Sequence, residues 1–186
     1  RAHVGRFADG EIDVQIEDAI GREWQVATIQ LDFVMLPERF ELEYIADDGS
    51  RRRPVAIHRA IFGSFERFIG IITEHFVGAF PAWLAPVQAA VLPITDAQLD
   101  YAGKVCDLLK ANGLRAEADA RNEKIGFKIR EWELKKVPYM LVVGEKEKAA
   151  GEVAVRQHKK GNVGNVAVSA FLENISQEVR QKRITS

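Results

Sequence analysis

The sequence predicts an α/β protein in two parts. An antiparallel sheet carrying one helix comes first, then a three-layer α/β part with a mostly parallel sheet. Three observations lead there. Up to residue 57 the chain reads as strands joined by short turns, followed by one apolar helix. After Pro81 and Pro86 the pattern changes to strands alternating with helices. Charge changes as well: residues 1–86 carry 9 Lys/Arg against 14 Asp/Glu, and residues 87–186 carry 17 against 13. A basic second half suits a polyanionic partner, although solvated charged faces are the commoner source of such a bias.

At 186 residues, with 47% hydrophobic and 28% charged content, the chain is an ordinary globular protein of one or two domains. No apolar run reaches the ~20 residues that span a bilayer. The opening RAHVGRFADG has no apolar core of a secretory signal. A single cysteine, Cys106, excludes an internal disulfide framework and suits a reducing compartment, so a cytoplasmic protein is expected.

Residues 12–18 alternate as a half-buried strand, with Ala19-Ile20-Gly21 as the turn out. Residues 22–33 and 40–45 read as the next strands. Asp47-Asp48-Gly49-Ser50 is a hairpin signal, and Arg51-Arg52-Arg53 leads into a short strand at 55–57. The triple arginine reads as an exposed hairpin flank rather than a binding site. Strands so close in sequence pair most simply as an antiparallel sheet. A glycine turn at Gly63 then opens a helix over 64–80 that is apolar nearly all round, with Phe65, Phe68, Ile69, Ile72 and Phe76 at helical spacing. Such a helix belongs in a core.

FPAWLAPVQ, with its two prolines, reads as the linker, giving expected domains of 1–82 and 83–186. Beyond it lie a buried strand at 87–93, a helix at 96–112 capped by Asp96 and closed by Asn112-Gly113, and a strand at 114–118. Asn122 caps the next helix, 123–137. Strands at 138–143 and 153–157 and an amphipathic helix at 169–181 complete the chain.

Several residues carry candidate chemistry. Arg67 sits in the first turn of its helix, against the positive end of the dipole, at a cost of roughly 0.3–1 kcal/mol. Either a bound anion or Glu66 with solvent would relieve it. In the strand 22–33, alternation puts Gln25, Ala27, Ile29 and Leu31 on one face and Thr28 and Gln30 on the other. Inward-facing Thr and Gln need partners, which a polar pocket or a solvated sheet surface would supply. The helix 123–137 is rich in cations: Lys124, Lys128, Arg130, Lys135 and Lys136. It is a solvated amphipathic helix or an RNA-facing edge.

HRAIFGSFERFIGIITEH resembles motif 3 of the class II aminoacyl-tRNA synthetases, in the form found in threonyl-tRNA synthetases. REWQVATIQLDF before it, and FPAWLAPVQ, ARNEKIGFKIRE and KKVPYMLVVGEKE after it, resemble the same family in the same order. The likeness runs from about Ile12 to the last helix. It implies a C-terminal portion of the catalytic domain followed by an anticodon-binding domain. The implied reaction is ATP-dependent activation of threonine, then transfer to the 3′ end of threonine tRNA. By resemblance, Gln25, Thr28 and Gln30 line the site for the adenylate and the tRNA 3′ end. Ser64 and Arg67 contact the adenylate and ATP, with Arg67 the catalytic cation beside Mg²⁺. His58 matches the histidine among three zinc ligands, and in the family zinc holds the amino and hydroxyl groups of threonine. Asn122, Arg130, Glu147 and Arg156 match positions at or near the anticodon bases. A glutamate in a basic surface can accept from base N–H groups, which makes Glu147 the best specificity candidate.

The chain departs from the family pattern in places. It begins after motif 1, which builds the homodimer interface, and after motif 2, and lacks the editing domain. One zinc ligand of three is present, the others lying upstream in the family. Ala8-Asp9-Gly10-Glu11 replaces a Tyr-Gly-Pro-Lys run, so a carboxylate stands where lysine is usual, and Val26 stands where cysteine is common. The isolated chain is therefore expected to be unable to form threonyl-adenylate. A non-catalytic tRNA-binding module with a synthetase-like remnant is the alternative.

Overall fold

The computed structural model describes residues 2–8, 10–18 and 20–184, with the backbone alone for 2–8. Two compact units form, Arg1–His75 and Phe76–Ser186.

The first unit contains β1 (Ala2–Ala8), β2 (Glu11–Glu17), β3 (Glu23–Asp32), α1 (Met35–Arg39), β4 (Tyr44–Ile45), β5 (Arg51–Arg52), β6 (Ala56–Ala60) and α2 (Phe65–His75). Its main sheet is antiparallel throughout, in the order β1-β2-β3-β6, and β4 and β5 form a separate hairpin. The hairpin turns at Gly49, whose φ of 77° needs a residue without Cβ. Each arginine of the triple run meets an acid: Arg51 with Glu43 at 3.1 Å, Arg52 with Asp48 at 2.5 Å and Arg53 with Glu38 at 2.9 Å. All six side chains are half exposed or more, as a hairpin flank requires.

Three expectations for this unit are corrected. The strand predicted at 40–45 shrinks to two residues, because Asp32 nucleates α1 ahead of it. Its carboxylate accepts the backbone N–H groups of Val34, Met35 and Leu36 at 2.7–3.0 Å. The helix predicted to reach residue 80 stops at His75, and the chain turns through left-handed Val77 and Gly78. Nor does α2 lie in a core: only Ile71 is buried, while Phe65 and Ile69 are 68% and 55% exposed.

The second unit contains β7 (Ala89–Pro93), a 3-10 turn (Asp96–Gln98), α3 (Leu99–Ala111), β8 (Ala116–Ala118), α4 (Ile125–Leu134), β9 (Tyr139–Val143), α5 (Glu145–Ala150), β10 (Glu152–Gln157), β11 (Gly161–Ala167) and α6 (Val168–Arg180). The sheet order is β11-β10-β9-β7-β8, with β7 parallel to both β8 and β9, and β10 and β11 added antiparallel. Every residue of β7 is buried, because helices cover both faces. Ala89 and Val91 pack with Leu109 of α3 and Ile175 of α6, while Ala90 and Leu92 pack with Trp132 of α4. These are the three layers.

Here too some local expectations change. Thr95, not Asp96, caps the 3-10 turn that leads into α3: its N–H and hydroxyl both donate to Gln98 Oε1, at 3.1 and 2.9 Å. Asn122 does not cap α4, whose N-cap residue is Lys124. The segment read as a linker is packed: Ala82, Ala85 and Gln88 are buried. Arg115 fastens it, donating to Ala85 O at 2.9 Å and Trp83 O at 3.0 Å. Helix α5 and strand β11 were not foreseen.

Candidate functional site

In the first unit, the residues implied by resemblance collect on one face of the sheet. The β2–β3 pairing slips between Val14 and Gln15, so that Gln15 faces Gln25 while Val14 faces Ala27. Val26 is the extra residue of this bulge and is buried. The slip reverses the phase of the strand. Gln25, which strict alternation puts opposite Thr28 and Gln30, joins them instead. Side-chain contacts agree: Gln25 Nε2 donates to Asp13 Oδ1 at 2.5 Å, and Thr28 Oγ1 and Gln30 Nε2 donate to Glu11 Oε1 at 3.1 and 2.6 Å. His58 of β6 pairs with Gln30 and so lies on this face, exposed.

Glu11 and Asp13 thus supply the partners that the inward polar groups need. They also make the face anionic where the family carries a lysine. A carboxylate holding Thr28 and Gln30 opposes the binding of phosphate there.

At the start of α2, Ser64 Oγ accepts the Arg67 N–H at 3.2 Å and donates to Glu66 Oε2 at 2.9 Å. Glu66 is held below the usual carboxylate range, first by its own backbone N–H and then by this hydroxyl. The Arg67 side chain is exposed, with no ion-pair partner among the described residues, and no hydrogen bond links it to His58. Gly63, at φ 63°, makes the bend close to the bulge: a Cβ there would lie 3.5 Å from Val26 O.

For zinc, the donor set does not fit. Among the described residues no group of three or more His, Cys, Asp or Glu side chains is arranged to hold a metal, so His58 belongs to no such group.

Two of the second unit's candidates, Arg130 and Arg156, lie on the face of the sheet covered by α4. The cation-rich reading of that helix narrows. Lys128 is buried, its Nζ donating to Pro93 O at 3.2 Å and Asp119 O at 3.1 Å. Lys135 Nζ lies 4.2 Å over the Trp132 ring, and Lys136 donates to Val77 O. Arg130 is the cation that joins others: with Arg156 of β10 and Lys159 of the β10–β11 turn it lines an open cleft of about 340 Å³. Arg156 Nε is buried with no hydrogen-bond partner, a donor that calls for an acceptor. Lys159, at φ 65°, is held by its backbone N–H donating to Glu133 Oε1 at 3.1 Å. The Lys-Lys-Gly turn of residues 159–161 is the signal that could have revealed it.

Asn122 follows a rigid turn and is exposed. Asp119, 2% exposed, accepts from Arg121 Nε at 2.8 Å, Arg121 Nη2 at 2.6 Å and Trp132 Nε1 at 2.9 Å. Arg121 first, then Trp132, keeps its carboxyl far below the usual range. Arg121 also meets Glu131 of α4 at 2.6 Å.

Glu147 lies in the first turn of α5. Its Oε2 accepts the Gly144 N–H at 2.9 Å, and its Oε1 accepts from Asn165 Nδ2 at 2.9 Å. Its own backbone N–H, and then these donors, keep it ionised. A Cβ at Gly144 would come within 2.8 Å of Ile94 Cδ1 and 2.9 Å of Glu147 Oε2, so a side chain there would push both side-chain ends aside.

The family model of the tRNA synthetase class II core domain (G, H, P, S and T) matches residues 2–76, and that of the anticodon binding domain matches residues 88–178. A threonine–tRNA ligase of Clostridium botulinum (strain Okra / Type B1) is 56% identical over 178 residues, which is 96% of this chain. The chain belongs to the threonyl-tRNA synthetase family. Another threonine–tRNA ligase, from Clostridium tetani (strain Massachusetts / E88), is 55% identical over 94% of the chain. The solved structure of the RNA binding domain of threonyl-tRNA synthetase from Cryptosporidium parvum Iowa II is similar at a TM-score of 0.79 and 40% identity. That likeness covers 90% of this chain and 42% of the other. The chain spans 28% and 27% of the two clostridial ligases. Among the described residues no helix is long and apolar enough to cross a membrane.

Proposed function

We propose that this chain is the part of a threonine–tRNA ligase in which the second unit holds the anticodon of threonine tRNA. The first unit supplies one wall of the adenylate site. The observation that carries the reading is the convergence of Arg130 and Arg156 on one cleft, with the Arg156 Nε donor unpartnered. RNA phosphate and base acceptors would satisfy these cations, and Glu147 on α5 would accept base N–H groups. Asn122 would add a polar contact next to the Arg121 clamp.

In the ligase as a whole, threonine and ATP with Mg²⁺ would give threonyl-adenylate and pyrophosphate, and a hydroxyl of the 3′-terminal ribose of the tRNA would then take the threonyl group and release AMP. Gln25, Thr28 and Gln30 would orient the adenylate and the tRNA end. Ser64 would fix the first turn of α2, and Arg67 would steady the triphosphate there. His58 would serve as a metal ligand only together with donors that the described residues do not supply. A homodimeric, cytoplasmic enzyme goes with this reading. That the relatives are ligases weighs against a module of purely non-catalytic descent.

The test is binding of threonine tRNA to the chain across a salt series. Expected are salt-dependent binding and a slope reduced by about one in Arg130→Ala and in Arg156→Ala. Salt slopes identical to the wild type in both variants would refute the reading. ATP–pyrophosphate exchange with threonine should stay at background for this chain alone.

A further inference from the structure

Two donors orient the Glu147 carboxylate, and they differ in what they fix. Gly144 belongs to the same turn as Glu147, so its N–H only folds the side chain back on its own helix. Asn165 lies on β11, 18 residues away, and ties Glu147 to the sheet. A carboxylate can only accept, so the Asn165 amide must offer its NH2 group. In the β10–β11 pairing Asn165 faces Ala154, two residues along β10 from Arg156, so Asn165 lies on the same sheet face as Arg156. Asn165 therefore stands on the Arg156 face of the sheet and ties Glu147 to that strand.

We propose that Asn165 is the positioning residue for Glu147, and through it a determinant of which anticodon base is accepted; this rests on the anticodon reading above. With one donor on each oxygen, the carboxylate plane is set, and the remaining lone pairs point in fixed directions. A base edge is accepted only where its N–H groups meet those directions. Without the Asn165 donor, the terminal torsion of Glu147 is restrained from one side only, and a wider set of base edges can be accommodated.

The experiment measures binding of fluorescein-labelled anticodon stem-loops of threonine tRNA to the whole chain by anisotropy. Each anticodon position is varied through all four bases. Proteins compared are the wild type, Glu147→Gln, Asn165→Ala, Asn165→Asp and the double variant Glu147→Gln/Asn165→Ala. Expected for Asn165→Ala is a loss of discrimination of about three- to tenfold, at the position that Glu147→Gln affects. Asn165→Asp, which sets a second carboxylate against Glu147, should lose at least as much. The double variant should discriminate no worse than Glu147→Gln alone, a coupling that a merely structural role would not produce. Asn165 is exposed on an edge strand, and unchanged melting of its variants will confirm their fold. Wild-type discrimination in both Asn165 variants, additive losses in the double variant, or a Glu147→Gln variant without effect would each overturn the proposal alone. Absence of any stem-loop binding by the wild type would overturn the anticodon reading and this proposal with it.

Discussion

Replacing Asp119 by Asn tests the anchor of the Asn122 turn. The change is isosteric and removes only charge and acceptor capacity. Oδ1 takes the Arg121 N–H at 3.2 Å and Nε at 2.8 Å, and Oδ2 takes Arg121 Nη2 at 2.6 Å and Trp132 Nε1 at 2.9 Å. An amide must turn its NH2 toward one of these pairs of donors, whichever way it is flipped. Two hydrogen bonds are lost, at least one of them to the guanidinium. Arg121 is 48% exposed, so solvent screens part of that loss, and about 3 kcal/mol is expected. Urea unfolding followed by tryptophan emission measures it, in a Trp24→Phe background that leaves the second unit's tryptophans as reporters. The midpoint should fall by about 1–3 M. The folded carboxyl holds its proton more weakly than the unfolded one, so its contribution is complete above about pH 4 and fades as pH falls below that. The gap between wild type and variant should close over the same range. A loss under about 0.5 kcal/mol at pH 7 would refute the view that this carboxylate anchors the turn.

Two further substitutions separate burial from recognition. Lys128→Met should destabilise the second unit by about 1–3 kcal/mol, because Pro93 O and Asp119 O lose their donor. It should leave the salt slope of RNA binding unchanged, in contrast to Arg130→Ala, and a reduced slope would contradict the buried placement. Gly144→Ala should cost no more than about 1 kcal/mol in thermal or urea unfolding, since its Cβ meets only the far ends of the Ile94 and Glu147 side chains, which must move aside. Base discrimination should fall with it, and wild-type stability and discrimination together would exclude that crowding.

Much of the fold was legible because its signals are local. The hairpin at Gly49, the stop at Asn112-Gly113 and the apolar runs of β7 and β9 each rest on neighbouring residues. The shortfalls come from competing hydrogen-bond partners that residue pattern does not reveal, some of them neighbours and some distant in sequence. Asp32 drew residues 35–39 into a helix, and Arg115 drew the proline-rich segment onto the second unit. By residue type Lys128 counts among the cations of a solvated or RNA-facing helix, but two carbonyls and a core position claim it.

By itself the sequence determined the two-part α/β plan, the order of the strands and helices predicted from local pattern, and the family resemblance. Those properties depend on residue type and short-range spacing. Only the tertiary structure decided that Gln25 shares a face with Thr28 and Gln30, that Glu11 ties two of them together, and that Arg130, Arg156 and Lys159 meet. A one-residue slip between paired strands reverses every side chain beyond it, and nothing in strict alternation reveals where that slip falls.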